Sequence, residues 1–147
     1  MTSRSPALPY AAIAVLVLLN GVVRGVRQYL PILLTDDGFG PGALTGVLLG
    51  MDVVQALFVP VGAVVLGYGF AETLDVENRL GVTAAVTYLL AVVGYLVGFG
   101  AVLLLVPEAS STGSLLRNLA AAAVVGLTNG LSATVAVVAG AAVGRLR

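Results

Sequence analysis

Few side chains in this sequence can do chemistry, and they interrupt otherwise apolar runs. Arg24 and Arg27 break the first run, Asp52 and Gln55 the second. Asn20, Tyr95 and Asn129 are further polar or hydroxyl-bearing groups inside such runs. An ionisable residue near a bilayer centre costs at least about 2.5–3.5 kcal/mol, so it faces the protein interior and finds a partner. A guanidinium grips a carboxylate with two parallel hydrogen bonds, which makes Arg24 the expected partner of Asp52. Three roles follow for the group: a structural lock between two helices, a site for an ion, proton or polar solute, or no pair at all. In the last case span one ends near Val23, Arg24 and Arg27 snorkel to the headgroups, and Tyr29 to Leu34 lie along the interface.

Depth favours grouping these residues. If the first turn centres on Gly38, Arg24 precedes it by fourteen residues and Asp52 follows it by fourteen. At 1.5 Å per residue both lie about 15 Å in from the helix ends near Leu34 and Gly42. Gln55, three residues from Asp52, shares its helical face. Asn20, Tyr95 and Asn129 fall at similar depth, so one intramembrane polar cluster of Arg24, Asp52, Gln55, Asn20, Tyr95 and Asn129 is expected.

Other chemistries lack their residues. The chain has no cysteine and no histidine, which removes thiolate and imidazole chemistry together. It contains no His-Glu-x-x-His pair, no phosphate-binding glycine loop ending in Gly-Lys-Ser/Thr and no Gly-x-Ser-x-Gly elbow. Asp36 and Asp37 open a glycine-rich turn, but two adjacent carboxylates fall short of the six to eight oxygens calcium takes. No catalytic residue, metal site or cofactor is expected. Formal net charge is zero, so nucleic acid is not an expected partner.

The elements that must position the polar groups are long and apolar. Of 147 residues, 59% are hydrophobic and 10% charged, with mean hydropathy +1.09. A soluble domain carries about 25% charged residues, so this chain belongs in lipid. Four runs long enough to cross a bilayer are predicted, at about 7–34, 42–70, 81–106 and 115–144. The first run is too long for a signal peptide and lacks a small-x-small cleavage site, so it reads as an uncleaved span. Short loops make the expected fold an all-α membrane protein: one domain of four transmembrane helices in an antiparallel, up-down bundle. Pro41 suits the start of the second helix and Pro60 interrupts its later half.

Glycines four apart recur at Gly21/Gly25, Gly42/Gly46, Gly46/Gly50, Gly94/Gly98, Gly126/Gly130 and Gly140/Gly144. Such small-xxx-small faces let backbones approach closely, either inside one bundle or between copies. The arginine distribution leans toward a multi-pass protein of the cell membrane with both termini cytoplasmic. The expected role is a non-catalytic accessory, structural or interaction subunit, in contact with the lipid bilayer and either homo-oligomeric or bound to a larger membrane protein. The alternative is a minimal oligomeric transporter or channel with a midplane polar site.

Overall fold

The computed structural model describes residues 7–35, 40–106 and 112–146. They form α1 (Ala7–Thr35), α2 (Pro41–Gly69), a single turn α3 (Ala71–Leu74), α4 (Val76–Leu105) and α5 (Thr112–Arg145). Four of these helices are long and apolar enough to cross a membrane, so the chain is an all-α multi-pass membrane protein. The first turn with Asp36 and Asp37 and most of the third loop lie outside the described residues.

Local chemistry explains the helix limits. Pro41 sits at the start of α2 behind Gly40, where its missing N–H costs nothing. Pro31 and Pro60 lie inside helices that continue past them. α1 runs unbroken to Thr35, so Arg24 and Arg27 are on a continuous helix. The third span starts at Val76, earlier than expected from Gly81, directly after Asp75, whose left-handed conformation (φ 43°) separates α3 from α4. Arg79, just inside α4, is also non-helical.

Helix direction alternates along the chain, but the neighbours are not those of a simple meander. The tightest pairs are α1 with α4 and α2 with α5. Each is a parallel pair packed through glycine. A Cβ at Gly21 would collide with the Tyr95 carbonyl, and one at Gly98 with the Leu18 carbonyl. Likewise, a Cβ at Gly67 would strike the Val137 carbonyl and one at Gly140 the Val64 carbonyl. Backbone thus lies against backbone at both crossings, where dispersion and weak Cα–H···O contacts replace a hydrophobic drive that lipid does not supply. Gly25 and Gly94 meet valine side chains at the first crossing, and Gly144 meets Ala71 and Tyr68 at the second. Gly126 and Gly130 receive the rings of Tyr95 and Tyr88 between α4 and α5. The expected packing stripe of Gly46 and Gly50 is different: a Cβ at either, or at Gly42, would meet nothing within 4 Å.

The core divides into levels. Toward the chain termini, Ile13, Ala63, Leu74, Val76, Val137 and Ala141 pack together, drawing on every helix. At mid-height one residue from each long helix closes a layer: Val17, Val59, Ala91 and Ala133. Toward the loops, the core of Tyr29, Tyr95, Phe99, Leu103 and Ala122 contains no residue of α2. The bundle therefore has four helices at one end and three at the other. The division falls at Pro60, which cannot bond the Ala56 carbonyl and weakens α2 where its loop-side half departs.

At the terminal end Arg145 ties α5 to the α2–α4 connection. It donates to Asp75 at 2.8 Å and to Glu77 at 2.9 Å, and to the Ala71 carbonyl at 3.4 Å. Asp75 also accepts from Asn78 at 2.9 Å. The Asn78 amide, with help from Arg145, holds the Asp75 carboxyl below its ordinary value of 3.8.

Two outcomes follow. Gly98→Leu or Gly140→Leu will destabilise the detergent-solubilised protein by about 1–3 kcal/mol or more, whereas Gly46→Leu and Gly50→Leu will leave its unfolding midpoint unchanged. Equal losses at all four positions would contradict the two-crossing architecture. Because folding lowers the pKa of Asp75, its contribution is complete above the unfolded value and fades as pH falls through the folded one. Melting curves should therefore lose midpoint below about pH 4, and Asp75→Asn should flatten that loss.

Candidate functional site

Asn20, Arg24 and Arg27 recur at intervals of four and three, which puts them on one face of α1, toward α2. Asp52, Gln55 and Val59 do the same on α2, and Val125, Asn129 and Ser132 on α5. The loop-side half of α2 does not join the core, so these three faces do not close. They enclose a cleft of about 330 Å³ lined by Asn20, Arg24, Asp52, Gln55, Ala56, Val59, Pro60, Val125, Asn129 and Ser132. Its floor is Val59, part of the four-helix apolar layer. Ala56, whose carbonyl loses its helical partner to Pro60, stands in the wall.

The polar residues sit near mid-span. The second span, Gly42–Gly69, is centred near Gln55, and the last, Leu115–Arg145, near Gly130. Asn20 lies at a similar level of α1, with Arg24 about 6 Å nearer the loops.

Asp52 takes Arg27 as its partner, not the expected Arg24: Arg27 Nη2 donates to Asp52 Oδ2. The depth argument found the right region, but a long side chain reaches across about one helical turn, and facing decided the choice. Arg24 instead lies near the hydroxyl of Tyr95, a buried residue whose ring meets Gly126 and stacks on Phe99 at 6.3 Å. Among the described residues Arg24 forms no ion pair. The Nε of Arg27 is buried without a hydrogen-bond partner. One level deeper, Gln55 Nε2 donates to Asn20 Oδ1 at 3.1 Å and to the Asn20 carbonyl at 3.4 Å. These two polar contacts seam α1 to α2 where apolar packing does not.

Of the six residues expected to cluster, Asn20, Arg24, Asp52, Gln55 and Asn129 line the cleft, and Tyr95 lies behind it through Arg24. Thr128, beside Asn129, turns outward and bonds the Val125 carbonyl of its own helix. Sequence reasoning missed two members. Ser132 follows Asn129 by three residues, a spacing that could have flagged it. Arg27 as the partner of Asp52 needed the helix orientation. A smaller network, Gln28 to Asn118 at 3.4 Å and Asn118 to the Tyr29 hydroxyl at 3.1 Å, joins α1 to α5 nearer the loops. A second hollow of about 340 Å³, lined by Arg24, Arg27, Gln28, Pro31 and Leu48, adjoins the cleft through Arg24. Polar groups thus extend along α1 from mid-depth toward the loop end.

Chemically, the cleft offers hydrogen-bond donors, one paired carboxylate and one guanidinium without a carboxylate. Among the described residues no group of three or more carboxylate, thiol or imidazole side chains is arranged to hold a metal ion. The fold and cleft define a small four-span α-helical membrane protein with a polar interior site. Comparison with known proteins returns no match: no family model, curated protein or solved structure is similar to this chain.

A double-mutant cycle checks the pairing. Arg27→Gln combined with Asp52→Asn should reveal a coupling of about 1 kcal/mol, and Arg24→Gln with Asp52→Asn a coupling near zero. The reverse order would restore the Arg24–Asp52 lock.

Proposed function

We propose that this protein is a non-catalytic membrane unit that binds a small polar solute in the cleft and passes it across the bilayer. The carrying observation is the cleft itself: six polar side chains around about 330 Å³ at the middle of four apolar helices. Hydrocarbon exacts a cost for every such group, and intramembrane polar residues mark pathways where they line a cavity. The access route runs from the loop end past Arg27 and Arg24, and the Val17–Val59–Ala91–Ala133 layer closes the way to the terminal end. Val59 belongs to both the floor of the cleft and this layer. Movement of α2 about Pro60 would shift Val59 and part the layer, leaving the glycine crossing with α5 in place. In sequence, Arg4, Arg145 and Arg147 flank the first and last spans and Arg79 follows the second, against Arg117 at the start of the last, which supports cytoplasmic termini and an outward-facing cleft.

A second reading, as an accessory or interaction subunit, draws on a different observation. Within an 18-residue apolar stretch of each span, 11% of the second is buried, against 39% of the fourth. Gly42, Gly46 and Gly50 face open space on that half-free helix, and a second helix could lie against them.

Flux from reconstituted vesicles separates the two. Passage of a small solute that falls at least about tenfold in Val59→Phe, which overfills the closing layer, supports the pathway. A protein that conducts no tested ion or solute, yet has a mass above the monomer's in lipid nanodiscs, supports the interaction role instead.

A further inference from the structure

We infer that the solute is a small anion, such as a halide or a compact monocarboxylate, and that Arg24 is the residue that binds it. This inference rests on the cleft being a solute site and names the class of solute. Charge is the first argument. Around the cleft and its adjoining hollow stand Arg24, Arg27 and Asp52. Two cations and one carboxylate leave one positive charge at mid-membrane, where an uncompensated charge is costly. Arg27 already neutralises Asp52, so the surplus falls on Arg24. A bound anion is the counter-charge that the four helices do not supply.

Donor inventory is the second argument. Asn20 spends its side-chain oxygen on Gln55, which leaves its two amide hydrogens to give. Asn129 adds an amide and Ser132 a hydroxyl on the opposite wall. The Arg24 guanidinium has five N–H donors, and the single Tyr95 hydroxyl does not exhaust them. The cleft is rich in donors, and its one carboxylate is engaged, which suits an anion and disfavours a cation. Along the route from the loop end, the next group is Arg27, paired with Asp52 and with its Nε buried and unpartnered.

The protein is purified, reconstituted into phosphatidylcholine vesicles loaded with potassium salts of chloride, formate, acetate or gluconate, and opened to potassium with valinomycin. Potassium efflux then reports the permeability of the anion. Chloride, formate or acetate is expected to support efflux well above gluconate, and Arg24→Gln to reduce it at least about tenfold. Arg24→Lys, which keeps the charge, should retain most of the flux and shows that loss in Arg24→Gln is not misfolding. Tyrosine emission gives a second readout, since the chain has no tryptophan: chloride or formate should change the wild-type signal, and the change should vanish in Tyr95→Phe. Efflux unaffected by Arg24→Gln, or a wild-type pathway that carries cations or neutral solutes but excludes all three anions, overturns the anion assignment while the solute cleft stands. Failure of every anion, cation and neutral probe to bind or cross overturns both.

Discussion

Two glycine-lined crossings set the architecture. Lipid tails are as apolar as leucine, so nothing like the hydrophobic effect draws these helices together, and contact depends on close approach. Glycine supplies it where α1 meets α4 and where α2 meets α5, with backbone carbonyls against the space a side chain would need. Both crossings join parallel helices that are not consecutive among the spans. The consecutive pair α1 and α2, which a hairpin would place in tightest contact, is therefore free to separate. Its seam is left to Arg27–Asp52 and Gln55–Asn20.

The position of the second crossing determines the cleft. Gly67, Gly140 and Gly144 all lie toward the terminal end, so α2 is gripped there and released beyond Pro60. On the other side of that point the core is built from α1, α4 and α5 alone. An apolar gap at this place would be filled by lipid or collapse; here the three bordering faces carry amides, hydroxyls and charges. Polar side chains at mid-depth and a helix that diverges at the same level are two properties of one region, each costly without the other.

Large exposed residues on the outer surfaces, such as Val15, Leu57, Leu104 and Leu131, need no special account in a membrane protein. The buried groups are the informative ones. The Tyr95 ring meets a glycine face on α5, its carbonyl lies against Gly21 of α1, and its hydroxyl is near Arg24. At the far end Arg145 gathers two carboxylates and a carbonyl, so polar contacts tie the terminal end as they seam α1 to α2 at mid-depth.

Sequence alone determined the membrane class, the four helices, their alternating direction and the depth of the polar residues. These follow from composition, run length and a fixed rise per residue, which are properties of the chain read locally. It also placed Asn20, Arg24, Asp52, Gln55 and Asn129 in one region. It did not settle which arginine meets Asp52, because depth is one coordinate and pairing needs a second, the rotation of each helix about its axis. Nor did it distinguish the glycines: Gly46/Gly50 and Gly94/Gly98 have the same spacing, yet one pair faces open space and the other a backbone. Only the tertiary structure decided these points. Rotation and neighbour choice are fixed by which helix faces can approach most closely, and that depends on all four helices packing at once.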